Sequence, residues 1–409
     1  MTYRGYNVRE RFRPPEAPGL HIFSEAGQQE FFERLMTNSA EARAAPDVGI
    51  TTDGRPVRGL YSLESTGLPM TLMRERAEAL ISTLSNEQQA EALLPLESPV
   101  WAQWANPSEM PNGSSLGHMT DAQRGAALAL VSEALSARGF ETTRNAMRLN
   151  HTLGEIVGNT EVLGEWRYSI IIFGTPSDQE PWGWQLQGHH LIVNCFILGD
   201  QIVMTPNFLG AEPAIADSGK YAGTRILAEE ESRGLALARS LSPAQREKVI
   251  LFPSTRTEDI PPERFHGGDG RIDVGAFKDN QIVPYEGIAA EELTRGPQEL
   301  LLNLVEAFIG RIRPDHAARR MAEIQRHLSS THFAWMGGTE NDSVFFYKVH
   351  SPAVLIEFDH QRGVFLDNDD PQRFHIHSIV RTPNGNDYGR DLLRQHYERS
   401  HRNAMSNPR

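Results

Sequence analysis

Two stretches of the chain place histidines where buried side chains are expected. The stretch from Trp182 to Ala214 reads WGWQLQGHHLIVNCFILGDQIVMTPNFLGAEPA, and His189 and His190 stand at the start of its longest apolar run. A histidine in a core needs partners for its ring nitrogens, because an unpaired polar group is costly to bury. A metal ion, a substrate or other protein groups could supply those partners.

The second pair lies in the stretch FHIHSIV. Alternate residues of a strand share a face, so His375 and His377 are expected to point the same way, with Cα atoms about 7 Å apart. Two imidazoles in this arrangement can converge on one cation. By the same alternation Glu357 and Asp359 share a face in AVLIEFDH, and a carboxylate inside an apolar strand needs a partner.

Together these residues match the ligand set of a divalent transition metal, for which two or three histidines and a carboxylate are common. Strand alternation allows only one of the adjacent histidines to join the site unless Gly188 forms a bulge. The predicted metal ligands are His190 (or His189), His375, His377 and Glu357. The predicted catalytic residues are Glu357, Asp359 and His189, with Asp359 orienting a ligand imidazole or accepting a proton.

The alternative for each of these residues is structural. His-x-His on a strand is often only a hydrogen-bonded pair, and Glu357 could pair with an arginine such as Arg381. The segment RTPNGNDYGRDL could contact a polar substrate, and Arg225, near an expected helix start, could bind an anion. Trp182, Trp184, Phe208 and Trp335 could line an apolar pocket for an aromatic substrate. The structural alternatives are a loop for the first segment and core packing for the aromatic side chains. The predicted substrate-binding residues are Arg225, Arg381, Trp184 and Asn386.

Composition excludes several classes of protein. The 409 residues carry a net charge of −13, which argues against sequence-independent binding of nucleic acid. The single cysteine, Cys195, rules out an internal disulfide and is expected to be buried. No segment has the roughly 18 consecutive apolar residues of a membrane span, so we expect a cytoplasmic protein. Motifs of the form H-E-x-x-H and C-x-x-C do not occur.

The elements that must position these residues follow from periodicity and capping signals. Residues 71–157 have a helical pattern, with capping boxes at Ser85–Gln88 and Thr120–Gln123. Strand patterns cluster at 165–205 and 343–382, with helices between them. This order predicts an α+β fold with a mostly antiparallel sheet system and flanking helices.

The sequence divides the chain into an N-terminal extension and one large domain. Residues 1–70 are expected to form an N-terminal extension or arm, with a short helix from Ser24 to Met36 and a loop over 37–69. An arm of this kind could wrap a second copy in a homodimer; a linker is the alternative. Residues 71–409 are expected to form a single large α+β domain of catalytic type.

Several of these segments occur together in one bacterial family. EPWGWQLQGHHLIVN, MTPNFLGAEPA, GTRIL, VLIEFD and HIHSIVRTPNGNDYGRDLL resemble, in this order, the domain-of-unknown-function family DUF3500 over roughly residues 80–409. The family name carries no reaction. The resemblance implies that the His-His, Glu-x-Asp and His-x-His segments belong to one shared module, and from it only Glu357 and Asp359 are carried over.

The residues thus favour a metal-dependent enzyme that acts on a small organic substrate, either aromatic or carbonyl-containing. A metal-activated water would make it a hydrolase or lyase; a metal-dependent oxygenase is the enzymatic alternative. The hypothesis from another class is a metal-free binding or assembly module. In that module the histidines satisfy one another, and Arg225 and Arg381 clamp an anion.

Overall fold

Capping motifs mark where several helices of the chain begin. The computed structural model describes residues 25–44 and 48–406. Both predicted capping boxes are present, with Ser85 and Thr120 each accepting from the third helical residue, and a further box begins at Ser242. The helices of the described residues are α1 (Glu25–Ala44), α2 (Thr71–Thr83), α3 (Asn86–Ala92), α4 (Asp121–Ala134), α5 (Ala137–Val157), α6 (Ala228–Ser240), α7 (Pro243–Val249), α8 (Arg295–Ile309), α9 (Pro314–Gln325) and α10 (Arg390–Ser406).

Strands form where the sequence is β-branched and aromatic, and all of those described join one sheet. They are β1 (Leu93–Leu94), β2 (Ser114–Ser115), β3 (Tyr168–Phe173), β4 (Trp182–Gly188), β5 (Leu191–Leu198), β6 (Gln201–Val203), β7 (Asn207–Ala211), β8 (Ile250–Phe252), β9 (Ile288–Ala289), β10 (His332–Gly337), β11 (Phe345–His350), β12 (Leu355–His360) and β13 (Ile376–Arg381). The strand order is β1-β3-β4-β5-β7-β13-β12-β11-β10-β8; β2 pairs with β3, β6 with β5 and β9 with β10.

The α+β class is confirmed, whereas the sheet is mixed rather than mostly antiparallel. The pairings β1–β3 and β8–β10, at its two ends, are parallel. The two strand clusters of the sequence meet in the middle, where β7 runs antiparallel to β13. This junction brings the His-His segment and the His-x-His segment into one neighbourhood.

The two faces of the sheet are covered differently. Helices cover one face, where alternate residues of the strands, such as Trp184, Cys195 and Val380, enter the largest hydrophobic cluster. Long loops cover the other face, where Ile379 packs with residues such as Trp104. His377 lies two residues before Ile379 and therefore shares this loop-covered face.

The N-terminal region differs from the predicted arm where it is described. The first helix continues to Ala44, so residues 37–44 are helical rather than a loop. Residues 48–69 contact the rest of the protein: the backbone NH of Val48 and of Gly49 donate to Asn280 Oδ1, and Tyr61 donates to the carbonyl of Pro383. Most of the predicted N-terminal extension, residues 1–24, lies outside the described ranges. The division into an extension and one large domain therefore stays a prediction. No helix in the described chain has the length and apolarity that crossing a bilayer requires.

Candidate metal centre

His190 occupies a turn rather than a strand. His189 and His190 are the two residues between β4 and β5, whose pairing is regular up to Gly188 and Leu191. His190 has a φ of 58°. Its backbone NH donates to the carbonyl of Asn106 at 2.7 Å, and its carbonyl accepts from the NH of Gly210 at 2.8 Å. The predicted bulge at Gly188 is therefore not needed, because the turn itself directs His190 toward β7.

His375 and His377 lie where β13 begins and point the same way, as strand alternation predicts. Gly210 is opposite His377 in β7. A Cβ atom on Gly210 would lie 2.9 Å from Cδ2 of the His377 ring and 2.7 Å from the carbonyl oxygen of Ile376. The missing side chain of Gly210 thus makes the space that the His377 ring occupies.

The three imidazoles converge through the same ring nitrogen. Nε2 of His377 is 3.1 Å from Nε2 of His375 and 3.1 Å from Nε2 of His190. One ligand atom from each residue lies within 4.8 Å of the other two, and all three residues are buried. Nitrogens about 2.1 Å from one ion are about 3.0 Å apart at a right angle and about 3.4 Å apart in a tetrahedron. These three histidines are therefore close enough to hold one metal ion.

The electrostatics of the cluster keep two of the rings neutral. Burial, followed by the neighbouring histidines, holds the pKa of His190 and of His377 well below the usual value for histidine. A neutral imidazole has one nitrogen with a free lone pair, which is the form that binds metals.

The tautomer of His375 is set by its surroundings. Its Nδ1 lies 2.7 Å from the carbonyl oxygen of Arg362, which can only accept, so Nδ1 carries the hydrogen. Oε2 of Glu212 is 3.8 Å from the same Nδ1. In metal sites a carbonyl or carboxylate on this side of the ring orients the imidazole and makes it a stronger ligand.

Glu212 was not among the predicted residues. Its Oε1 accepts the backbone NH groups of Val364, Phe365 and Leu366 at 2.8–3.0 Å, and its Oε2 is buried without a hydrogen-bond partner. The only sequence signal was a carboxylate in the small and apolar segment GAEPA. Glu212, and not Asp359, is thus the carboxylate that lies beside a ring of the cluster.

His189 lies beside the triad without joining it. Its ring stacks on that of His190 with centroids 3.9 Å apart, and its Nδ1 is 2.7 Å from Oδ1 of Asn150. Burial, with a smaller contribution from His375, lowers the pKa of His189 to about 3. His189 is thus a neutral imidazole next to the cluster, with one nitrogen held by an amide.

The structure does not bring Glu357 or Asp359 to the three histidines. Asp359 is the cross-strand neighbour of His377, but its carboxylate binds the side chain of Arg271 at 2.7 Å and the backbone NH of the same residue at 2.9 Å. Glu357 accepts from the NH of Val274 at 3.3 Å and lies 3.7 Å from Nζ of Lys348. Arg271 and Val274 of a covering loop, with Lys348 of β11, thus hold both carboxylates away from the cluster.

The four predicted substrate-binding residues also lie elsewhere. Arg225 is exposed and pairs with Ile215 in an isolated bridge, before the helix that it was expected to open. Arg381 is fully buried, with its guanidinium bound by Asp279 and Asp387. Trp184 is fully buried in the core on the helix-covered face, and Asn386 lines a different, smaller cavity.

The three histidines open into a cleft of about 910 Å³. Asn106, Asp269 and Lys278 also line it, together with His189 and Glu212. Asn106 Nδ2 donates to Asp269 at 2.5 Å. Burial raises the pKa of Asp269 and lowers that of Lys278, and each of these two groups partly offsets the shift of the other. The cleft therefore combines a possible metal position with several polar groups.

The fold and the site together define an α+β protein with a buried cluster of three histidines at the base of a polar cleft. Residues 66–390 match the family model described as a protein of unknown function (DUF3500). The chain belongs to this family, which confirms the resemblance found in the sequence. Searches of curated proteins and of solved structures gave no significant match.

Proposed function

We propose that the protein is a metal-dependent enzyme in which His190, His375 and His377 hold one divalent cation. The observation that carries the proposal is that Nε2 of His377 has more close neighbours than it can make hydrogen bonds. Nε2 of His377 has either one hydrogen or one lone pair in the ring plane, so it makes one in-line hydrogen bond. Two further Nε2 atoms nevertheless lie 3.1 Å from it. A cation among the three nitrogens accounts for both contacts at once.

The ligand set favours zinc, ahead of iron and manganese. Imidazole nitrogen suits zinc and iron, whereas manganese prefers oxygen ligands. Non-haem iron oxygenases usually use two histidines and a carboxylate, and among the described residues no carboxylate joins the group of three. Hydrolytic or lyase chemistry is therefore preferred over oxygenation.

The chemistry follows from the charge of the ligands. Three neutral imidazoles leave the full charge of a divalent ion uncompensated, and catalytic zinc sites of this kind keep an open position for water or substrate. When bound, such an ion lowers the pKa of water or polarises a carbonyl group. His189 has one neutral nitrogen left to accept a hydrogen bond, since its other nitrogen is engaged by Asn150.

The cleft favours a small, polar, carbonyl-containing substrate over an aromatic one. Lys278 can donate hydrogen bonds to carbonyl or carboxylate oxygens of a substrate. The aromatic substrate was predicted from Trp182, Trp184, Phe208 and Trp335. The three tryptophans are fully buried in the helix-side core. Phe208 contacts the His377 ring from the loop side but is also fully buried.

Elemental analysis of the purified full-length protein tests the proposal. We expect close to one zinc per chain after dialysis against zinc and removal of the excess. His375→Ala should lose it. The control is His350→Ala, since His350 is equally buried on a strand of the same sheet but lies outside the cluster. Zinc-loaded wild type should also hydrolyse some member of a panel of small esters, amides and lactones, and a chelator should abolish the activity.

The second candidate is the metal-free binding module. The 3.1 Å contacts of His377 with His375 and His190 are also within hydrogen-bond distance, and a hydrogen bond in either place would satisfy the histidines without a metal. A protein that takes up no stoichiometric divalent metal, and stays folded with His375 and His377 both replaced by alanine, would establish the module and overturn the enzyme.

A further inference from the structure

A second cavity lies on the other face of the sheet. It has a volume of about 80 Å³ and is enclosed by residues of β6, β13, α8, α9 and α10. Val380 lines it, and this side chain points away from the loop-covered face that carries His377. The cavity shares no lining residue with the cleft of the three histidines. It is therefore a separate site.

One wall of the cavity is apolar. The side chains of Met204, Phe308, Ile309, Ile312 and Val380 form it. A water molecule occupies about 10–15 Å³ of a cavity in the same measure, so there is room for about five to eight atoms of that size. Water against this wall would find few hydrogen-bond partners, which favours an occupant with an apolar body.

The charged residues of the lining carry more positive than negative charge. Arg311 and Arg320 line the cavity, but their charges are balanced by Glu230 at 2.5 Å and by Glu323 at 3.0 Å. Arg319 also lines the cavity and is half-buried, and no described carboxylate pairs with it. One guanidinium is thus left for an anion.

Two buried polar atoms beside Arg319 also lack partners. Nε2 of His316 and Nε of Arg311 are buried and make no hydrogen bond, and both residues are at least nine-tenths buried and line the cavity. A buried polar group without a partner is costly and points to an occupant that supplies one. Burial and then Arg313 lower the pKa of His316 to about 4, so this ring adds no second charge.

We propose that this cavity binds a small monocarboxylate with a short apolar body. Its carboxylate accepts from the guanidinium of Arg319, in the paired geometry that arginine and carboxylates favour. Its hydrocarbon part lies against the apolar wall. A phosphate dianion fits less well, because Arg319 is the only cation of the lining that the described carboxylates leave unbalanced, and half of the cavity would give it no donors.

The probes are isobutyrate, its neutral analogue isobutyramide and inorganic phosphate, each titrated into the full-length protein by calorimetry or ligand-observed NMR. We expect isobutyrate to bind at least about tenfold more tightly than isobutyramide, since only the acid pairs with Arg319. Arg319→Gln should remove this difference. Arg326→Gln should preserve it, because Arg326 is exposed near the end of the same helix.

Three results would overturn the proposal. Equal affinity of wild type for the acid and the amide would show an apolar void without an anion site. Phosphate binding in preference to isobutyrate would show a different ligand class. Absence of binding by isobutyrate and by 2-methylbutyrate at millimolar concentration would show that the cavity takes no such ligand. The wild-type comparison of acid with amide decides the matter even if Arg319→Gln fails to fold.

Discussion

Replacing Glu357 by glutamine should change how the free energy of unfolding depends on pH. Glu357 is fully buried in β12, near the ammonium of Lys348. That ammonium also binds Asp273 at 2.5 Å and Glu286 at 2.8 Å, so one cation serves three carboxylates. Burial, followed by the charge of Asp273, raises the pKa of Glu357 to about 8. The carboxyl group that keeps the proton at neutral pH is therefore that of Glu357.

The sign of the effect follows from proton binding. The usual pKa of the group is 4.5. Between about pH 4.5 and 8 the folded protein keeps a proton that the unfolded chain has released, so stability falls as pH rises. The full shift corresponds to about 5 kcal/mol. Relaxation around the ionised group reduces this, and we expect a loss of about 2–5 kcal/mol across the window. Glutamine is neutral throughout and can still accept from the NH of Val274, so Glu357→Gln should lack this loss.

Urea unfolding of both proteins from about pH 5 to about pH 8.5 measures the difference. At the low end we expect the two free energies to agree within about 1 kcal/mol, and at the high end the variant should be the more stable by at least about 2 kcal/mol. The control is Glu165→Gln. Burial acts to raise the pKa of Glu165, but Tyr221 and Arg144 outweigh it and lower the value. Its contribution is lost only in acid, so this control should run parallel to wild type. If Glu357→Gln also runs parallel, the buried carboxyl is not protonated and the reasoning fails.

Three further predictions concern the same sheet. Gly210→Ala should weaken zinc binding about tenfold, measured in competition with a chelating dye, because the added methyl group displaces the His377 ring. Gly125→Ala is the control, since the space around Gly125 is open. Equal zinc affinities of the two variants would contradict the prediction. Glu212→Gln should weaken zinc binding by about 10–100-fold in the same titration, because the ring of His375 loses its carboxylate, and an unchanged affinity would remove Glu212 from the site. Arg381→Leu should cost about 3–5 kcal/mol in urea unfolding, since two buried aspartates lose their cation, and a cost below about 1 kcal/mol would contradict this pairing.

Local signals in the sequence were sufficient for much of the fold. Capping boxes at Ser85 and Thr120 gave two helix starts, because the side chains that satisfy the first NH groups are close in sequence. Gly199 and Asp200, residue types that favour tight turns, join β5 to β6. The parallel ends of the sheet were not predictable in this way, because β8 and β10 are separated by more than one helix and pair through contacts that no local pattern encodes.

The candidate site was predictable only in part, and for the same reason. His375 and His377 share a strand, so their common direction follows from alternation alone. His190 reaches them only because β7 lies between β5 and β13 and has glycine at position 210. Glu212 acts through the backbone of a loop that follows β12, more than a hundred residues along the chain, and its role is invisible until that loop is placed.

Glu357, Asp359 and Arg381 illustrate why strand charges are ambiguous in a sequence. Each lies on the loop-covered face, and each finds one partner among residues 271–286: the NH of Val274 for Glu357, Arg271 for Asp359, and Asp279 for Arg381. The sequence predicted correctly that such buried charges need partners. It could not show that the partners are protein groups of a covering loop and not a ligand. The three histidines differ, because no described charged group of that loop pairs with their converging nitrogens.

The apolar core and the three histidines lie on different faces of the sheet, and this separation affects how much a histidine substitution should destabilise the protein. The largest hydrophobic cluster, on the helix side, supplies most of the apolar burial. The loop side holds His190, His375 and His377 next to an open cleft. Removing one imidazole there leaves space that water can enter from the cleft, so the cost should be smaller than that of a closed cavity in the core. The fold can therefore carry a cluster whose nitrogens are poorly satisfied by one another, because the helix-side core does not depend on it. Substitution of these histidines should then test the proposed metal binding without unfolding the protein.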